Sequence, residues 1–457
     1  MRRIRQYRAA AIRLARNGKL WLMSLIESAK LAIVHQSTRP MAKRVGERLV
    51  ERRRYVFGIP VKKECVKRDK FKIALLVDEY FGGWETPIGG YGAIARNYFC
   101  KYIPGERFQV DVILGPAHCT KTQLRIIDGV RLCRLPRSRH LRQRWLDEEG
   151  YDLFVSIEMT SPSFAVIGNY RCDTPLLYWV QDPRDLEQYQ PRLATVSRLK
   201  DDDWSYLQDV ARWMKSIMRR DRLRFISQGE SLSDIARRLY KIPTGIPIQE
   251  LVNPIDFDPR YRLNEPPKEN KIIFLGRIAA QKRVWSFCEI AKALPQYEFY
   301  VLGETHPLRS EAANALSLEA YRNLDGSSKV KNLHFVGHVD GTAKANHIKT
   351  AKLLLNTSIW EGIPVSWLEA LSFGTLIVSS FDRDNITSRF GTYIGEVLGD
   401  GVTHADTGRF AVAIEHWMTH DEERERVAQA AIEFVRTRHS VSAFVRDMRN
   451  TILDATH

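Results

Sequence analysis

Apolar positions along this chain come as short unbroken runs separated by polar loops and helix-spaced segments. FKIALLVDEYF (71–81) reads as a buried strand, GGWETPIGGYG as a glycine-rich loop and AIARNYFCKYI as a helix. The strand-sized runs FQVDVILG, DGVRLCRL, DLFVSIE, PLLYWVQ and RFISQG follow. Runs apolar on both faces suit a parallel sheet covered by helices on each side. Between the last two runs lies a charged segment with helical spacing in its second half and a cap expected at Asp202 or Asp203. The polar, proline-rich NPIDFDPRYRLNEPPKENK (253–271) reads as a linker. A second alternation then begins with KIIFLG, RVWSFCEIAKAL, YEFYVLG, NLHFVG, HIKTAKLLLNTS, PVSWLEALSFG and TLIVSS. The pattern predicts an α/β protein of two doubly wound Rossmann-like domains facing each other across a cleft, with ligands at the carboxyl ends of the strands. The expected parts are an extension at 1–70, domains at 71–255 and 256–435, and a C-terminal helix at 436–457 packing back on the body.

Charge separates the extension from the rest. The chain of 457 residues has a formal charge of +16, and residues 1–70 hold 20 Lys and Arg against 5 Asp and Glu, which leaves +1 for everything after them. Arginines at 2, 3, 5, 8, 13 and 16 precede an apolar stretch with Trp21, a pattern that suits a basic interfacial helix on an anionic membrane. A helix packed on the body or on another subunit is the alternative. Nucleic acid is not the expected partner, because no recognition module accompanies the charge. The stretch LWLMSLIESAKLAIV is interrupted by Glu27 and Lys30, and it is shorter than the roughly 20 apolar residues of a membrane span. The six cysteines form no CxxC pair and no metal-ligand spacing, so reduced thiols in a cytoplasmic protein, peripheral to a membrane at most, are expected.

Two segments carry the chemistry. EGIPVSWLEALSFGTLIVSS (361–380) places Glu361 on a loop after a strand, Pro364 at the first helical position, Glu369 inside the helix and Gly374 at its end. Carboxylates beside a helix N-terminus, which favours anions, suit a ligand with phosphates in its middle and hydroxyls at both ends. FLGRIAAQKRVWSF (274–287) presents Gly276, Arg277 and Lys282 between a strand and a helix, cations suited to a diphosphate.

Together these segments resemble the family 4 retaining glycosyltransferases of the GT-B fold, whose hallmarks are E-x7-E and GR-x(4)-K. The resemblance covers about residues 71–435, densely in the second half. It implies that Glu361 holds the transferred sugar's hydroxyls, that Glu369 holds the ribose, and that Arg277 and Lys282 neutralise the leaving diphosphate. Gly276, Gly362, Ile363, Pro364 and Val365 complete the donor site it implies, with Val339 of NLHFVGHVDG against the nucleobase. The loop ETPIGGYG (85–92) is similar to the family's first glycine-rich loop, where Gly89 and Gly90 would admit the donor phosphate and sugar. NPID at 253–256 is close to the family's junction motif.

Two positions depart from the family pattern. Gln181, followed by Asp182, stands where a histidine usually contacts the sugar, so that either Gln181 replaces its hydrogen bond or the donor differs. Pro364 stands where glycine is common, removing one N–H. Arg184 and Glu158 are further cleft candidates. The expected activity is transfer of a hexose or deoxyhexose from a nucleoside diphosphate sugar to a glycan or lipid-linked glycan with retention, using no cofactor and no metal. The alternatives are another GT-B enzyme, such as a nucleotide-sugar epimerase or a phosphorylase, and a non-catalytic scaffold that binds sugar nucleotides.

Overall fold

The computed structural model describes residues 69–456 apart from 169, 171–172, 201, 203, 306–317 and 324. The readings of the basic arm, of Cys65 and Cys172 and of a cap at Asp203 lie outside the described residues.

Two sheets form the body. The first holds β1 (Phe71–Leu76), β2 (Phe108–Ala117), β3 (Gln123–Ile127), β4 (Val130–Pro136), β5 (Leu153–Ile157), β6 (Leu176–Val180), β7 (Leu223–Ser227) and β8 (Ile248–Glu250). Their order is β3-β4-β2-β1-β5-β6-β7-β8. All pairs are parallel except β3 with β4. The second holds β9 (Glu269–Leu275), β10 (Glu298–Leu302), β11 (Leu333–Gly337), β12 (Ala351–Asn356), β13 (Leu376–Ser379) and β14 (Gly391–Tyr393). Its order is β11-β10-β9-β12-β13-β14, parallel throughout. The central strands β5, β6, β12 and β13 are buried at every position, as their mostly apolar sequences suit.

Seven helices bear on the site: α1 (Gly90–Ile94, continued by a π turn at Ala95–Phe99), α2 (Leu186–Leu193), α3 (Glu230–Tyr240), α4 (Gly341–Thr350), α5 (Val365–Ser372), α6 (Asp421–Arg438) and α7 (Val441–Asp454). Pro364 is the N-cap of α5, one residue earlier than expected. Gly374 at φ +63° follows its end, the left-handed stop that glycine permits. The helix expected to be capped by Asp202 or Asp203 is instead Tyr206–Ile217, with Ser205 at its N-cap. HIKTAKLLLNTS divides into the end of α4 and the whole of β12.

The chain passes between the two sheets twice. After β8 it enters the second domain, and at Ser440 it returns, so that α7 packs Phe444, Met448 and Ile452 into the core around β1, β5 and β6. Phe444 stacks on Trp179 with ring centroids 5.8 Å apart. The two passages lie side by side, with Ile255 N donating to His439 O at 2.8 Å.

Candidate active site

The carboxyl ends of both sheets supply the site. Beyond β9, Gly276 takes φ +153°, and a Cβ there would lie 3.5 Å from Lys282 Cδ. That is ordinary van der Waals contact, so it is the backbone angle that calls for glycine here. Lys282 ends a 3-10 turn, and its Nζ reaches Glu361 Oε1 at 2.5 Å. Glu361, beyond β12, is buried. It also accepts from Ser358 Oγ at 2.5 Å, while its main-chain oxygen accepts from Arg383 Nε at 3.1 Å. Glu369, one turn into α5, is paired with Lys344 of α4 at 2.8 Å. Burial works against the charge on Lys344, but Glu369 and Asp340 outweigh it and hold its pKa above the ordinary lysine range. Arg277 is half-buried at the end of β9, and Val339 sits between β11 and α4. Thus Gly276, Lys282, Glu361 and the loop Gly362–Val365 come together around the ends of adjacent strands β9 and β12.

The first domain faces this loop with a network of buried polar groups. Glu158, beyond β5, adopts φ +54°, an uncommon region for a residue with a Cβ. Its Oε1 accepts from the main-chain N–H groups of Gln181 and Asp182 at 2.5 and 2.6 Å. Its Oε2 accepts from Tyr178 Oη at 2.8 Å. Desolvation pushes the pKa of Glu158 up, against the opposing pull of the two amides. Glu158 therefore holds the 181–182 loop in place.

Two of the expected residues on this side have partners within the protein. Gln181 is turned into a reciprocal amide pair with Asn253, with bonds of 3.0 and 2.9 Å, so its side chain serves the domain junction. Asp182 is the residue of this strand end that reaches across, accepting from Trp360 Nε1 at 3.1 Å while Arg184 holds its other oxygen. Likewise, a Cβ on Gly89 would fall 2.3 Å from the Glu79 carboxylate, which itself accepts from Gly92 N at 2.9 Å. Gly89 thus makes room for the Glu79 carboxylate, whereas a Cβ on Gly90 would meet nothing within 4 Å.

Closure between the domains is tight at Gly362. A Cβ on Gly362 would lie 2.7 Å from the Gln181 main-chain oxygen. The insertion after β6 also reaches over: α2 places Tyr189 and Leu193 in the core of the second domain, and Ser197 Oγ donates to Asp400 at 3.0 Å.

The residues missed from sequence are Ser358, Lys344, Arg383 and Trp360. Arg383 lies over the Trp360 and Phe381 rings at 5.0 and 4.8 Å. Among the described residues there is no group of three or more His, Cys, Asp or Glu that could hold a metal ion, and no helix is long and apolar enough to cross a membrane.

Residues 258–434 match the model of the family "Glycosyl transferases group 1". No curated protein matches the chain by sequence. Among solved structures, sucrose-phosphate synthase from Thermosynechococcus elongatus superposes with a TM-score of 0.61 at 14% identity, covering 84% of this chain and 98% of that one. HepE of Anabaena in complex with UDP-glucose gives 0.58 at 13%, covering 84% and 99%. The fold is GT-B. With a group 1 glycosyl transferase domain in its second half, the protein is a glycosyltransferase.

Proposed function

We propose that the protein is a retaining transferase of the family 4 type, moving a hexose or deoxyhexose from a nucleoside diphosphate sugar to a glycan or lipid-linked glycan. The observation that carries this reading is the shared position of Lys282 and Glu361. A diphosphate arriving beside Gly276 competes with Glu361 for the Lys282 ammonium, and Arg277 adds a second cation. Glu361 is then free to accept from the sugar's hydroxyls while Ser358 keeps it in place. Glu369 takes the ribose hydroxyls, and the loop near Val339 takes the base.

In the transfer step the acceptor hydroxyl attacks the anomeric carbon from the face that the diphosphate leaves. The anomeric C–O bond to phosphate breaks, a new C–O bond forms, and the acceptor's proton passes to the departing phosphate. Lys282 and Arg277 stabilise the charge that develops on that phosphate, the role a divalent ion plays elsewhere, so the reaction is expected to run without metal. The reading places the protein in the cytoplasm, with its basic arm on an anionic membrane surface. Removal of residues 1–68 is then expected to abolish binding to anionic vesicles and leave donor binding intact; vesicle binding that survives the deletion removes the arm from this role.

The test is nucleotide release from UDP-, GDP- and dTDP-sugars by wild type and by Glu361→Ala. Release from one donor that the variant loses supports transfer. Binding of a donor without cleavage, even with glycan acceptors supplied, points instead to a sugar-nucleotide scaffold.

A further inference from the structure

On the β7 and β13 side of the Glu361 loop lies a cavity of about 780 Å³ walled by both domains, within the roughly 300–1,000 Å³ range of small-molecule sites. Gln228 and the first turn of α3 form one wall, the loop after β13 forms the other, and His439 lines it where the chain returns to the first domain. Only Ile363 is shared with the expected donor residues.

The chemistry of this lining differs from that of the donor site. Four carboxylates (Glu230, Asp234, Asp382 and Asp384) stand against two guanidinium groups, Arg389 and Arg438. The two cations are already engaged, Arg438 with Glu250 and Arg389 over the Phe390 and Phe434 rings. Asp382 accepts from Thr387 N and Ser388 Oγ, and Asp384 accepts from Ser231 N. Glu230 and Asp234 remain exposed. A phosphate or carboxylate would be repelled here, and hydroxyl donors would be welcomed.

Two buried atoms point the same way. His439 is 3% exposed, and its Nδ1 lies 2.7 Å from the Asn253 main-chain oxygen. A carbonyl only accepts, so Nδ1 carries the proton and Nε2 is a bare acceptor. That Nε2 has no hydrogen-bond partner, and neither has Ser231 Oγ. Orphaned polar atoms are costly, and an acceptor nitrogen is satisfied by a hydroxyl. Tyr393 and Phe434 add aromatic surface to the lining, suited to the apolar face of a sugar ring.

We propose that this cavity is a second carbohydrate site, which takes one or two uncharged sugar rings and bridges the two domains away from the transfer loops. The site uses none of the donor cations or carboxylates and does not depend on the transferase reading.

Saturation-transfer NMR on the full chain tests it, with glucose, N-acetylglucosamine, mannose, maltose, cellobiose, chitobiose and glucosamine as probes. The proteins compared are wild type, Glu361→Ala and the double variant Glu230→Ala/Asp234→Ala, whose exposed positions leave the core untouched. At least one neutral sugar should bind wild type and Glu361→Ala alike, and bind the double variant on the order of tenfold more weakly, the loss of one charged hydrogen bond. Donor cleavage by the double variant should stay at the wild-type rate. The proposal is overturned if no neutral sugar binds, if the double variant binds as well as wild type, or if Glu361→Ala alone abolishes binding. Binding of glucosamine without any neutral sugar overturns it in favour of a cationic ligand.

Discussion

Each domain carries a pair of carboxylates near the cleft, and the two domains hold them by different means. In the first, Glu79 and Glu158 accept from main-chain N–H groups, of Gly92 in one case and of Gln181 and Asp182 in the other. In the second, Glu361 and Glu369 are paired with the ammonium groups of Lys282 and Lys344. A backbone amide cannot leave its carboxylate without unfolding the loop that bears it. A lysine on a four-carbon stem can turn to a phosphate and give its carboxylate to a hydroxyl. The first pair therefore shapes the site and the second pair is available to substrate.

The contrast can be broken by substitution. Lys282→Ala should lower transfer by about 10²–10³-fold, the scale of losing one donor to a developing anion, with the folded state retained by circular dichroism. Wild-type turnover would place Lys282 outside the reaction. Glu158→Ala should do the opposite, lowering stability in urea by roughly 3 kcal/mol, because two buried amides and a tyrosine hydroxyl lose their acceptor. An unchanged urea midpoint would show that the 181–182 loop holds without it.

His439, at the boundary of the two regions, sharpens the comparison through pH. Burial lowers its pKa from 6.5 to about 4. The unfolded chain takes up this proton as pH falls below about 6.5, and the folded chain does not until about pH 4. Stability is thus lost as pH falls through that window, by about 2 kcal/mol between pH 7 and pH 5 for this group. His439→Gln should lose that much less on acidification, as read from urea midpoints at the two pH values; equal losses would assign the sensitivity to other groups. The smallest effect is expected of Lys344→Ala, about 1 kcal/mol in donor KM with kcat held, because Glu369 keeps its place on α5 without the ion pair. A fall in kcat would make Lys344 part of the transfer step.

The architecture was legible because its central strands are buried at every position and mostly apolar, a signal that survives in one dimension. Of the edge strands, β11 was legible as an apolar run, but β3, β8 and β14 carry no such signal. β3 is exposed at four of its five positions, and β8 and β14 have three residues each, so neither an apolar run nor a period marks them. Lys282 and Glu361 could be found because their motifs have fixed spacing along the chain. Lys344 acts on a carboxylate 25 positions away and Arg383 on a carbonyl 22 positions away, and only the fold makes them neighbours. Gln181 shows the same limit from the other side. Its position beyond β6 follows from the strand pattern, but its partner, Asn253, lies 72 residues further on and decides which way the amide turns.

The double passage of the chain between the sheets has a mechanical consequence. A door on one hinge pin can sag and twist, whereas a door on two pins swings about a single axis. With strands of chain at Ile255 and Ser440 running side by side, the two halves are hung on two pins. Opening should therefore follow one arc that lifts Gly362 directly off the Gln181 carbonyl and returns it to the same seat at every turnover.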